Sequence, residues 1–176
     1  MENVMLDLET LGTSPGCVIL SIGATFFDKT RLGEKFYRTI DVQSCIDAGL
    51  TVSGDTFKWW MGQKGEARKA LFDKTIPVQD ALSEFSAWLG QNCETSSVKV
   101  WGNGSDFDNA ILAKAYVAVL GETQPWRFWN NRCYRTACDL LNDRNRKQEG
   151  VYHNALDDAV SQAKHLSRVL TLRGAW

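Results

Sequence analysis

The sequence predicts an α/β domain, a mixed five-stranded β-sheet whose first three strands are antiparallel, flanked by α-helices. Two observations predict this architecture. The first forty residues hold three runs of strand character separated by turn chemistry, and the remainder alternates short apolar runs with amphipathic helical stretches. A third bounds it: 176 residues, 44% hydrophobic and 23% charged, suit one globular unit with a sizeable core.

Taken in order, Val4 to Glu9 reads as a strand, and Thr10 to Gly16 is turn chemistry. Cys17 to Phe27, rich in Val, Ile, Phe and Thr, reads as a long second strand. Arg31 to Glu34 should turn the chain into a third strand over Lys35 to Ile40. From residue 42 to 73 helical signals are cut by Gly49, Gly54, Gly62 and Gly65, which predicts an insertion of small helices within a single domain spanning 1–176. Pro77 opens a better helix, with Val78, Ala81, Leu82, Phe85, Trp88 and Leu89 on one face. Val98 to Trp101 fits a buried strand, followed by a turn, a cap at Ser105 or Asp106, and a helix with Ile111, Leu112, Ala115, Val119 and Leu120 on its apolar face. Trp126 to Trp129 is read as the fifth strand and Cys133 to Leu141 as a helix. A charged loop, Asn142 to Gly150, then precedes a final amphipathic helix from Ala155.

Composition narrows the function. No basic and then apolar leader opens the chain and no window approaches eighteen apolar residues, so a cytoplasmic protein without a membrane partner is expected. Five cysteines, an odd count without metal-type spacing, read as reduced thiols rather than a disulfide framework or zinc site. A formal charge of -1 argues against holding polyanions by bulk charge. Nucleic-acid binding would have to be local.

Asp7 and Glu9 stand two apart on the first strand, so period-two alternation sends both from one face of the sheet. Like charges so close are tolerable only if a proton is retained or a cation lies between them, and carboxylate oxygens suit Mg²⁺ or Mn²⁺. Alone the pair is weak evidence: with 21 acids in 176 residues it should recur by chance roughly two or three times. Asp106 and Asp108 at a strand-to-helix switch, and His153 with Asp157 and Asp158 at a helix start, supply possible partners. Each also has a structural reading, as cap, dipole partner or surface histidine.

The order of these acids, with a histidine five residues before the last, resembles the DEDDh 3'-5' exonucleases of the ribonuclease H-like superfamily. The matching stretches are Asp7-Leu8-Glu9-Thr10, Asn103-Gly104-Ser105-Asp106-Phe107-Asp108, and His153-Asn154-Ala155-Leu156-Asp157-Asp158-Ala159. The size and Leu6 to Gly16 are most similar to small prophage-type, exonuclease VIII-like members grouped with a mycobacterial exoribonuclease. In the family pattern the middle acid follows an aromatic, which selects Asp108, and the last stands five after the histidine, which selects Asp158. Asp106 is then a cap and Asp157 a bystander. Leu11 replaces a threonine common among relatives and is expected to pack against the terminal base.

The resemblance implies two divalent ions, Mg²⁺ or Mn²⁺, held by Asp7, Glu9, Asp108 and Asp158, with His153 on a mobile, exposed loop as general base. It also implies that Glu9 and the backbone of Thr10, Leu11 and Gly12 meet the 3' terminus of single-stranded DNA or RNA, releasing nucleoside 5'-monophosphates. Some relatives dimerise, so a homodimer is a possible assembly. Lys58, Lys64, Arg68, Lys69, Arg132 and Arg135 are candidates for the phosphate track, and Trp59 and Trp60 for base stacking. Adjacent helical residues diverge by about 100°, so one of the two tryptophans should be core and the other partly exposed. A ribonuclease H-type endonuclease and a non-catalytic binding module of the same fold remain alternatives.

Overall fold

The computed structural model describes residues 1–174 and 176. Five strands, β1 (Asn3–Thr10), β2 (Ile19–Phe27), β3 (Leu32–Thr39), β4 (Lys99–Gly102) and β5 (Asn131–Cys133), lie in the order β3-β2-β1-β4-β5. β1 to β3 are antiparallel, whereas β4 runs parallel to β1 and β5 parallel to β4. Three short helices, α1 (Val42–Asp47), α2 (Gly54–Met61) and α3 (Gly65–Ala70), precede α4 (Val78–Asn92). They are followed by α5 (Asp108–Ala115), α6 (Tyr134–Leu140) and α7 (Ala155–Leu172).

Strand alternation sorts the core into two layers. Val4, Leu6 and Leu8 of β1 enter the larger cluster, with Leu82, Phe85, Ile111 and Leu112 of α4 and α5. Met5 points the other way, into a smaller cluster with Tyr134 of α6 and Ala159, Ala163 and Leu166 of α7. Asp7 and Glu9 follow Met5 at period two and therefore emerge on the face covered by α7. Gly23 of β2 pairs with Asp7 and lets α7 come this close. A side chain at Gly23 would collide with the backbone of Ala155 and Leu156, so the absence of a Cβ seats the start of α7 directly beside the two acids.

Four details depart from the expectations. The turn before β3 is Asp28 to Arg31, where the Asp28 carboxylate accepts from the backbone N–H of Thr30 (2.8 Å) and Arg31 (3.0 Å), so β3 begins at Leu32. The second strand begins at Ile19, with Cys17 forming an isolated bridge to Thr51. Neither Ser105 nor Asp106 caps α5; its N-cap position is Phe107, without a side-chain cap bond. The fifth strand is Asn131–Cys133, not Trp126–Trp129. Trp126 is instead buried beside Phe85 and Tyr116 and donates from Nε1 to Asn131 Oδ1 (2.8 Å), and Phe128–Asn130 form a 3₁₀ turn. Three aromatics among four residues mimic a strand, whereas a short, half-buried edge strand accepts Asn and Arg.

Candidate active site

Three loops converge at the carboxyl ends of β1 and β4. Beyond Met5 the two strands no longer pair, and Asp108 takes over the orphaned edge. Its Oδ1 accepts from Leu8 N–H of β1 (3.1 Å) and its Oδ2 from Asn103 N–H (2.8 Å). The middle acid is thus locked between both strands, while Asp106 stays exposed. From the third loop, Asn154 caps α7 by accepting from Leu156 and Asp157 N–H (3.1 Å each). That cap turns Asp158 inward, where it is buried and its Oδ2 accepts the backbone N–H of His153 (3.0 Å).

Asp7 and Glu9 lie close enough to Asp108 and Asp158 that the charges of those two acids add to the effect of burial on their ionisation. The Asp7 carboxyl is raised well above its usual range by burial, then by the charges of Asp108, Glu9 and Asp158, with an N–H from Gln162 pulling the other way. Glu9 is pushed up to about 8 by burial and by Asp158 and Asp108. Burial raises Asp108 to about 7 against the N–H groups of Leu8 and Asn103 and the nearby Arg135. At neutral pH the cluster retains protons, and a cation there is electrostatically favoured.

One ligand atom each from Glu9, His153 and Asp158 lie within 4.8 Å of one another. Asp158 Oδ1 is buried without a hydrogen bond, an orphaned lone pair that burial makes costly. An oxygen-rich donor set with an unsatisfied carboxylate oxygen fits a hard divalent cation.

A cleft of about 340 Å³ opens over Asp7, Glu9 and Asp108 and is walled by Thr10, Gly12, Thr56, Trp59, Trp60 and Arg135. The two tryptophans divide as the helical angle requires. Trp60 is buried and donates from Nε1 to the Thr10 carbonyl (2.8 Å), fixing the floor; Trp59 is 46% exposed. Arg135 reaches the cleft and donates to the Asn103 carbonyl (2.9 Å).

Other sequence candidates are placed differently. Leu11 does not line the cleft: its side chain is buried in the main core, and its N–H and C=O are used by Val18 and Ser53, because the strand-end turn packs inward. His153 is half-buried rather than freely exposed, with φ of +62° and its ring edge-on to Trp59 at 5.0 Å, because α2 reaches across to it. Arg132 is spent on the carbonyls of Trp129 and Asn131. Arg68 is partly buried and donates to the Met61 carbonyl, whereas Lys58 and Lys69 are exposed. Lys64 borders a second depression beside His153.

Two participants were not singled out from sequence, and a third was set aside there. Gln162 is buried and its Nε2 donates to Asp7 Oδ1 (2.8 Å); its position four after Asp158 on one helix face was the available signal. Asp157, set aside as a bystander to the site, accepts from Val151 N–H (2.8 Å) and ties down the His153 loop. Arg146 lies 3.4 Å from Asp158 Oδ1, and nothing in its local sequence announces that.

The sheet order and flanking helices are those of the ribonuclease H-like fold of 3'-5' exonucleases, with four carboxylates and a histidine gathered near the ends of β1 and β4. More particularly, the chain belongs to the family of the 3'-5' exoribonuclease Rv2179c-like domain, whose profile matches residues 2–170. It is 22% identical over 169 residues to an exodeoxyribonuclease of Enterobacteria phage T4, covering 80% of this chain and 72% of that protein. The fold is shared with exonuclease X, solved with 5' overhanging duplex DNA (TM-score 0.62, 13% identity, 99% of this chain and 93% of that one). It is also shared with the nuclease domain of 3'hExo, a DEDDh member solved with rAMP (TM-score 0.60, 12% identity, 98% and 92%). The cell-death related nuclease CRN-4 is similar too (TM-score 0.56, 13% identity), over 96% of this chain, which spans only 64% of that longer protein. No helix among the described residues is long and apolar enough to cross a membrane.

Proposed function

We propose that the protein removes nucleoside 5'-monophosphates from the 3' end of single-stranded DNA or RNA. The observation that carries this reading is the convergence of Asp7, Glu9 and Asp108 beneath an open cleft, with an Asp158 carboxylate oxygen and a His153 ring nitrogen within 4.8 Å of a Glu9 carboxylate oxygen. Asp7, Glu9, Asp108 and Asp158 would hold two divalent ions, Mg²⁺ or Mn²⁺. Such ions supply activation of water and shelter for charge on the phosphate and leaving oxygens.

The protein's own groups do the rest. His153 takes the proton from the attacking water, its ring steadied by Trp59 and its backbone by Asp158. Asp108, tied to both β1 and the β4 loop, keeps the carboxylates in register. The exposed face of Trp59 stacks on a base near the 3' terminus and Arg135 meets phosphate, contacts that carry little sequence information. Both sugars have support: the family description names an exoribonuclease and the phage relative is an exodeoxyribonuclease.

The test is product analysis on matched 3'- and 5'-labelled single-stranded DNA and RNA with Mg²⁺, Mn²⁺ or chelator. Immediate mononucleotide release from the 3' label, abolished by chelator and by Asp7→Ala, is expected. Internal cleavage, including cleavage of a circular strand, would indicate an endonuclease instead.

A further inference from the structure

Segment 141–154, between α6 and α7, is wrapped closely onto α7. Asp143 accepts from the buried His165 (Nε2 to Oδ1, 3.1 Å, when that nitrogen carries the proton) and from Arg168 (3.2 Å). Glu149 N–H donates to Ser161 Oγ (2.9 Å), and the Glu149 carboxylate pairs with Lys164. These ties deliver Arg146, its side chain only 23% exposed, to the carboxylate cluster, with Nη2 3.4 Å from Asp158 Oδ1. Among the described residues it is the one cationic side chain within 4.0 Å of any of the four acids. The oxygen it approaches is the one without a hydrogen bond, since Oδ2 already accepts His153 N–H. The oxygen best placed to take a metal therefore already faces a guanidinium.

We propose that Arg146 is a positioning residue that serves as an internal counter-ion, holding Asp158 in the metal-free protein and yielding it to a divalent cation. This rests on the metal site proposed above and assigns its tuning to segment 141–154. Two cations cannot share one carboxylate oxygen without mutual repulsion, so metal binding must displace Arg146 from Asp158 or push it aside. The displaced energy is subtracted from metal affinity. Removing the guanidinium should strengthen metal binding while leaving the metal-free protein less stable, because Asp158 then faces Asp7 and Glu9 without compensation.

The experiment is calorimetric titration of Mn²⁺, without substrate, into wild type, Arg146→Gln and Arg146→Lys, alongside melting curves in chelator. Arg146→Gln should bind Mn²⁺ about fivefold to tenfold more tightly and melt several degrees lower in chelator, the deficit closing at saturating Mn²⁺. Arg146→Lys, which keeps a charge but loses the planar fork, should tighten binding about twofold to threefold, and it carries the test should the Gln variant not fold. Unchanged or weakened Mn²⁺ binding in the folded variants would overturn the counter-ion role while leaving the metal site intact. Absence of Mn²⁺ binding by the wild type would overturn the metal site itself, and with it this inference.

Discussion

Replacing Glu9 with Gln should make the metal-free protein more stable at alkaline pH, although it removes a proposed metal ligand. Burial and the charges of Asp158 and Asp108 move Glu9 from its ordinary 4.5 to about 8. Between those values the folded state keeps a proton that the unfolded chain has released, so stability is full below about pH 4.5 and falls as pH rises towards 8. At about 1.4 kcal/mol per pH unit the loss reaches about 5 kcal/mol at most. Part of it is repulsion shared with Asp158 and Asp108, which Gln relieves on both sides, so a gain of about 2 to 3 kcal/mol at pH 8 is the working figure. For a chain of this size that is a melting shift of roughly 5 to 10 °C. The assay is urea unfolding in chelator from pH 5 to 8.5. Wild type should lose stability across this range more steeply than Glu9→Gln, and saturating Mg²⁺ should reverse the order at pH 8. Parallel pH profiles, or a wild type more stable than the variant at pH 8 in chelator, would refute the account of a repelling cluster.

Three further outcomes are expected. Asp108→Asn should abolish cleavage, whereas Asp106→Asn, altering an exposed side chain, should stay within about twofold of wild type; equal losses on matched oligonucleotides would show that the two acids have been assigned in the wrong order. Gly23→Ala places a methyl against the Ala155 and Leu156 backbone, so it should cost more than about 3 kcal/mol of stability by denaturant titration, or move α7 and lose activity; a stable, active variant would contradict the seating of α7. Trp59→Ala should raise KM for single strands about tenfold, from about 1 to 3 kcal/mol of stacking, while shifting the melting point by only a few degrees. An unchanged KM would leave Trp59 with its edge-on contacts to Trp60 and His153 and no part in substrate binding.

What the sequence by itself determined was order and periodicity. Alternation along β1 was enough to put Asp7 and Glu9 on one face, because a strand's side-chain period depends only on its backbone. The three-and-four spacing of α4 identified its buried stripe for the same reason. The angle between adjacent helical residues required Trp59 and Trp60 to separate, but which one was buried depended on a hydrogen-bond partner fifty residues away, the Thr10 carbonyl. The fifth strand was misplaced because the aromatics from Trp126 to Trp129 carry strand-like hydrophobicity for reasons of packing and surface exposure, not pairing.

Tertiary structure alone decided the contacts that join distant segments. Asp108 occupies the open edge of β1 because β4 stops short, and Gln162 meets Asp7 because Gly23 admits α7 to the sheet. Asp157 became a loop tether, and Arg146 the cation facing Asp158, through wrapping of segment 141–154 that its polar composition does not encode. Leu11 was buried because the turn after β1 folds back onto Val18 and Ser53. Periodicity follows from local backbone geometry and can be read along a chain; these contacts depend on where strands end and how closely helices approach, which the packed chain settles as a whole.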